Sequence, residues 1–352
     1  MKKLAWVLFI WLLFNAVASA QVKYSNEFLN IGAGARLMGM GGAGTAYVDD
    51  VTAGYWNPSR LIDIPGKLDF SLMHSEYFAG LAKLDYGGAA FKLDPVSAIG
   101  LSFVRFAVDD IPNTLELIDL EGNIRYDRIT TFSAADMGIL FSYARKMKIP
   151  GLQTGANIKL IYRHTGEFAK AWGFGIDAAA SYSLADWHFS AVARDITGTF
   201  NAWSFKKDLL SQSFALTGNE LPVNSLEVTI PRLILGASRD FKINDQVRLA
   251  LAFDTHLTFD GRRHVILPVG PVGIDPYIGG ELKFSTWLFA RVGFGNFQLV
   301  PGMNGKNNLT LQPNIGLGIQ YRNIYLDYAL SDVGDLSIAR YSNLISLRYV
   351  VK

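Results

Sequence analysis

The chain has 352 residues, of which 50% are hydrophobic and 18% charged; the formal net charge is +2 and there is no Cys. A soluble domain carries about 25% charged residues, so the charged share is low for one. Scattered Lys and Arg at near-neutral balance speak against a nucleic-acid face, and the absence of Cys excludes thiolate metal sites and dithiol redox chemistry.

The first residues read as a secretory signal. Lys2 and Lys3 precede an apolar run from Leu4 to Phe14 and the small-residue site Ala18-Ser19-Ala20. The run is about eleven residues long against the roughly twenty that span a bilayer, so residues 1–20 are expected to be removed and the mature chain to begin at Gln21. No later stretch reaches 18 uninterrupted apolar residues, and no membrane-spanning helix is expected.

Residues 21–66 are rich in Gly and Ala and have no sustained period of two; loops and short helices are expected there. From Lys67 onward the pattern changes to segments of about a dozen residues that alternate apolar with small or polar side chains. In Leu249 to Leu257 the odd positions are Leu249, Leu251, Phe253 and Leu257, and the even ones include Ala250, Ala252, Asp254 and His256. Asn314 to Arg322 sets Ile315, Leu317, Ile319 and Tyr321 against Asn314, Gly316, Gly318, Gln320 and Arg322. Successive side chains of a strand point to opposite faces, so one face suits lipid and the other a wet lumen. Fourteen such strands are predicted, at 67–78, 80–93, 97–108, 134–147, 152–165, 170–183, 187–199, 228–240, 246–259, 274–284, 286–298, 311–322, 323–331 and 341–351.

The connections sort by length. Those near Asp94-Pro95, Ile149-Pro150-Gly151, Leu184-Ala185-Asp186, Ile243-Asn244-Asp245, Ser285 and Arg322-Asn323 are short, and the long ones, 109–133, 201–227, 260–273 and 300–310, alternate with them. Short periplasmic turns and long external loops are the mark of an outer-membrane barrel. The expected fold is therefore all-β: a 14-stranded antiparallel transmembrane β-barrel over 67–352, with a Gly-rich hatch over 21–66. An even strand count lets the last strand close on the first and leaves no edge in lipid. Tyr349 is followed by Val350, Val351 and Lys352, whereas many such barrels end on an aromatic residue. Tyr77, Phe78, Trp172, Trp187, Trp203 and Trp287 lie near strand ends and fit interfacial girdles.

The hatch segment contains a G-x-G-x-x-G at Gly39, Gly41 and Gly44. A dinucleotide site would need a strand before it, a helix after it and a later acid within a βαβ unit; these are absent, and close backbone packing against a barrel wall is the alternative. The residues Gly34-Ala35-Arg36, Gly39-Met40-Gly41-Gly42-Ala43, Asp49-Asp50 and Tyr55-Trp56-Asn57-Pro58 resemble the N-terminal hatch of the FadL superfamily of outer-membrane barrels, and more closely its PorV/PorQ branch; Ser59 stands where the superfamily commonly has Ala. The resemblance implies first a PorV-like role, a component of type IX secretion that binds exported proteins carrying C-terminal sorting domains, with secretion-system proteins and cargo as partners; the alternative is FadL-like. A FadL-like role would make it a transporter of hydrophobic small molecules such as fatty acids. The first role directs attention to the external loops, where Leu117, Leu120, Trp203, Phe205 and Phe214 are candidate docking residues; the second directs it to the lumen and hatch.

Parity places Lys159, Arg163, Asp177, Arg194, Arg248, Asp254, His256, Glu281, Lys283, Arg291, Arg322 and Asp327 inside, where cross-strand pairing is expected. Asp49 and Asp50 could bind a cation; helix capping or a salt link to a wall Arg is the preferred expectation. His256 stands two residues from Asp254, but no G-x-S-x-G accompanies them, and the five His form no H-E-x-x-H. No enzyme activity, cofactor or metal is expected.

Overall fold

The computed structural model describes residues 25–119, 121–259, 261, 265–269, 272–301, 307–333 and 341–352. The signal expected at 1–20, Leu120 and His264 lie outside the described residues.

The strands are β1 (Leu68–Tyr77), β2 (Ala82–Asp94), β3 (Ser97–Asn113), β4 (Thr130–Lys146), β5 (Leu152–Thr165), β6 (Ala169–Leu184), β7 (Trp187–Arg194), β8 (Thr199–Phe205), β9 (Leu226–Thr229), β10 (Arg232–Lys242), β11 (Val247–Thr258), β12 (Leu267–Val269), β13 (Val272–Phe284), β14 (Leu288–Pro301), β15 (Asn307–Tyr321), β16 (Ile324–Ser331) and β17 (Ser342–Val351). All pair antiparallel, and β17 pairs with β1 from Leu68↔Val351 to Glu76↔Asn343, which closes the sheet. β7 and β8 are the two halves of one wall strand, since β7 pairs with the Ala178–Leu184 end of β6 and β8 with its Ala169–Phe174 end. β9 and β10 are likewise halves of the next strand, pairing with β8 and β7 respectively. With β12 a short addition to β13, the wall has fourteen strands. Among the described residues no edge is left unpaired, which is the condition for a sheet in hydrocarbon.

The outward face follows the predicted parity. Leu251, Phe253, Ile315, Leu317 and Ile319 are exposed, Leu317 at 59%, while Ala250, Ala252, Asp254 and Asn314 are buried. This is a lipid-facing band, and the protein is a barrel of the Gram-negative outer membrane. Two-residue turns reverse the chain at Ala185-Asp186 and Arg322-Asn323, with Ala185 at φ 50° and Arg322 at φ 55°. Arg322 thus sits in a turn over the Tyr321 ring, at 5.4 Å, and not in the lumen.

Several strands outrun their predicted ends. β3 continues to Asn113 through a bulge at Asp109-Asp110, where Asp110 takes φ 56° and pairing with β4 resumes at Ile111↔Phe132. Two acids in a row read as a loop, but the bulge absorbs the extra residues and turns the strand back into register. The same holds at Asp195 (φ 57°) to Gly198 (φ 67°), beyond which β8 carries Trp203 and Phe205. These two aromatics are therefore wall residues and not loop residues. The loop proper starts at Lys206 and contains helix α3 (Lys207–Thr217).

Inside the barrel, residues 25–66 fold as short turns that include α1 (Ala35–Met38) and α2 (Ala53–Trp56) and a 3-10 turn from Pro58 to Asp63. Leu37, Met40, Val48, Val51, Leu61, Ile62 and Ile64 are almost wholly buried against wall residues such as Leu84, Val104, Ile161 and Leu344. The apolar core of the molecule is therefore the contact between this segment and the inner wall.

Candidate functional site

The backbone of the Gly-rich stretch runs against the wall with no side chain between. A Cβ on Gly41 would lie 2.7 Å from the Phe294 amide nitrogen, and one on wall residue Gly293 would lie 1.9 Å from the Met40 carbonyl carbon. Gly41 also has φ 70°, a conformation that costs L-residues with a Cβ. Gly39 meets Gly316 in the same way, and Met40 is fully buried beside Gly279 and Gly293. Gly34 opens α1 at φ 82°, with its amide 3.1 Å from the Met73 sulfur.

Polar groups then fix the hatch to specific wall strands. Asn57, fully buried, donates to the Thr45 carbonyl (2.6 Å) and to Ser181 Oγ (2.9 Å), and accepts from the Ser59 amide and hydroxyl. Pro58 follows at the first position of the 3-10 turn, where its missing N–H is no loss. The Trp56 indole N–H donates to the Ala33 carbonyl at 2.7 Å, and its ring meets Tyr55 edge-on at 5.1 Å. Asp254 accepts from the amides of Gly44 and Thr45, each at 2.9 Å. It therefore anchors the hatch and does not orient His256. Arg194 donates to the carbonyls of Leu29 (3.2 Å) and Tyr55 (3.1 Å).

A buried ion cluster forms the underside. Arg36 pairs with Asp49, with Asp50 (3.1 Å) and with Glu281 (3.1 Å). Glu281 also receives Arg291 Nε at 2.6 Å and the Tyr47 hydroxyl at 2.7 Å, and Arg291 reaches Asp327 at 2.7 Å. Arg348 binds Asp69 at 2.9 Å and approaches Asp50 to 3.9 Å. Burial opposes the Asp50 charge, but Arg348, Arg36 and the Thr52 hydroxyl and amide more than offset it and hold its carboxyl below the usual range. Burial likewise opposes the Arg36 charge, and Asp49 and Glu281 outweigh it, so its guanidinium is held still more firmly charged. Glu281, Arg291 and Asp327 are legible as lumen residues; Asp69 and Arg348 were missed, although Arg348 alternates in phase with buried Leu344 and Ser346.

Cavities lie on both sides of the hatch. At the short-turn end a cavity of about 580 Å³ is walled by Arg36, Tyr47, Asp49, Arg248, Lys283 and Tyr325 among others. At the long-loop end are two neighbouring chambers that share Glu27, Ile31, Tyr77 and Gln312. One, of about 450 Å³, is lined by Phe28, Ile31, Tyr77, Phe78 and Phe106 with Asp136 and Arg163. The other, of about 420 Å³, rests on Met38, Gly41, Gly42 and Trp56 and is walled by Tyr277 and His256.

The loop candidates are distributed differently. Trp203 and Phe205 stack at 6.1 Å on β8, with the Arg163 guanidinium 5.1 Å from the Trp203 ring. Leu117 and Phe214 are half-buried, and α3 touches the 114–129 loop where the Ser213 hydroxyl donates to the Leu115 carbonyl. The structure does not gather these four into one exposed patch.

Comparison of the sequence with protein-family models finds no match, and no curated relative is found. Comparison of the structure does find neighbours. The toluene transporter TodX of P. putida aligns with a TM-score of 0.56 at 14% identity, over 91% of this chain and 99% of that one. The CymD monoaromatic hydrocarbon channel aligns with a TM-score of 0.55 at 13% identity, over 91% and 98%. A FadL homologue of Pseudomonas aeruginosa gives 0.49 at 11%. The fold is that of TodX and CymD. These neighbours show the fold and do not separate the FadL-like role from the PorV-like one.

Proposed function

We propose that the protein is an outer-membrane channel for small hydrophobic molecules, the FadL-like role. The observation that carries this reading is the chamber at the long-loop end, where Phe28, Ile31, Tyr77, Phe78 and Phe106 line about 450 Å³ directly above the hatch. A pocket of ~300–1,000 Å³ lined mainly by apolar and aromatic groups is what a small ligand requires. Burying an aromatic or aliphatic body there removes apolar surface from water at about 25 cal/mol per Å². The channels with this fold are described as carrying toluene and monoaromatic hydrocarbons, which supports the same class. Passage requires the hatch to move, because its backbone fills the space between the chambers. The test is uptake of labelled toluene into vesicles containing the purified protein. Wild type is expected to accelerate uptake, and Ile31→Asp or Phe106→Asp to abolish the acceleration with the barrel still folded. Equal uptake by all three refutes the reading.

A second reading, the PorV-like docking of exported proteins, has its own observation. The outer loops expose Ile118, Ile124 and Tyr126 on one side and Leu209, Leu216 and Val223 on the other, and exposed apolar groups on loops mark contact surfaces. Retention of sorting-domain proteins by cells, scored with and without residues 206–225, tests it. Unchanged retention removes this reading and leaves the channel.

A further inference from the structure

We propose that the chamber resting on Trp56 binds a neutral hydroxylated aromatic molecule in preference to the bare hydrocarbon or the carboxylate. This rests on the channel reading and names its substrate class. Three observations converge. First, the chamber is deep and mixed in character: about 420 Å³, with an aromatic floor and side formed by Trp56 and Tyr277, and a polar rim that includes Asn296, Gln298, Gln312 and Asn314. The absence of a side chain at Gly42 keeps the floor open, since a Cβ there would lie 3.6 Å from Trp56 and 3.9 Å from Tyr277.

Second, buried polar atoms on its wall make no hydrogen bond among the described residues. Besides the Tyr77 hydroxyl they include His256 Nε2 and Thr258 Oγ1, both on β11. Thr258 is 6% exposed. Both residues line the chamber and stand two positions apart on the inward face of β11, so their Cα atoms are about 7 Å apart. The His256 ring is packed on Tyr277 at 4.3 Å between centroids, which holds it in place. A buried polar group without a partner is destabilising. A pure hydrocarbon would leave both groups dry and unpaired. A ligand hydroxyl, which both donates and accepts, satisfies a neutral imidazole nitrogen or a Thr hydroxyl in either sense.

Third, the charges argue against an acid. Arg232 is matched by Glu27 at 3.7 Å, and Asp275, which accepts from the Tyr277 hydroxyl at 2.8 Å, adds a further negative charge. The described lining therefore offers a carboxylate no unmatched cation, whereas a neutral hydroxyl needs none. The aromatic ring of such a ligand would lie against Trp56 and Tyr277 in offset or edge-on contact.

The experiment is saturable quenching of tryptophan fluorescence in the purified full-length protein, titrated with p-cresol, toluene and p-toluate. Wild type is expected to bind p-cresol at least tenfold more tightly than toluene, and p-toluate more weakly than either. His256→Phe with Thr258→Val is expected to remove the preference for p-cresol while toluene binding is kept; heat-modifiability on gels reports that the variant is folded. Thr258→Val alone, nearly isosteric, is the fallback and should lose part of the preference. Toluene binding as tightly as p-cresol overturns the inference and leaves the channel reading standing. Preference without accelerated uptake into vesicles overturns the channel reading and leaves this site. No saturable binding of any of the three overturns the inference, as does a preference that survives the double substitution, which would assign the polar contact to waters or to the rim.

Discussion

Replacing Glu281 by Gln should release the hatch without unfolding the barrel. Glu281 and Arg291 side chains are each 2% exposed and meet at 2.6 Å, and the same carboxylate serves Arg36 and the Tyr47 hydroxyl. Removing one partner of a buried pair costs about 3–5 kcal/mol because a charge stays behind uncompensated. Here both cations keep another acid: Arg36 retains Asp49 and Asp50, and Arg291 retains Asp327. The low end, about 3 kcal/mol, is therefore expected. At 1.4 kcal/mol per factor of ten, that shifts the balance between seated and released hatch on the order of 100-fold. None of these side chains belongs to the backbone ladder that closes the wall, so the heat-modifiable band should be unchanged. Single-channel conductance in planar bilayers should show frequent openings, and acrylamide should reach Trp56. Asp49→Asn is the control: its side chain is 50% exposed, so its pair with Arg36 is worth at most about 1 kcal/mol. Conductance and quenching of Glu281→Gln at wild-type levels would refute the reasoning, as would an Asp49→Asn variant that opens equally often.

Three further outcomes are expected. Leu317→Arg, on the lipid face, should lower the stability of folding into vesicles by about 2–4 kcal/mol if the site is near the bilayer midplane; a cost near zero would mean the face is not in lipid. Gly293→Ala should destabilise hatch seating by about 1–3 kcal/mol through overpacking, since its Cβ would fall on the Met40 carbonyl; acrylamide access to Trp56 measures it, and wild-type protection would show that the two backbones are not in contact. Removal of residues 206–225 should leave the heat-modifiable band intact, because it takes α3 and only two outermost backbone bonds, Lys206 to Phe168 and Trp203 to Ser225, and leaves the β8–β9 pairs from Thr199↔Thr229 to Ala202↔Leu226; loss of the band would show that the loop is needed for closure.

The division of the wall into two faces was present in the sequence from Lys67 onward. Lipid on one side and water on the other impose a period of two on every strand, so Leu251, Phe253 and Leu317 declare their side locally, and so do Asp254, Glu281 and Arg291. Turn chemistry was equally local, as at Ala185-Asp186. Strand ends were less so: Asp109-Asp110 and Asp195 to Gly198 look like loops, and only pairing with Phe132 and Phe174 on neighbouring strands keeps the chain in the wall beyond them. That is why Trp203 and Phe205 read as loop residues. The meeting of hatch and wall was beyond the sequence altogether. Arg36 and Glu281 are 245 positions apart, and Gly44 and Asp254 are 210. Their contact depends on barrel closure, which carries β11 and β13 round to the segment threaded through the lumen. Whether a chamber remains beside Trp56 was settled by the same closure, because a cavity is what is left after every neighbouring side chain has taken its volume, and no single stretch of chain encodes that remainder.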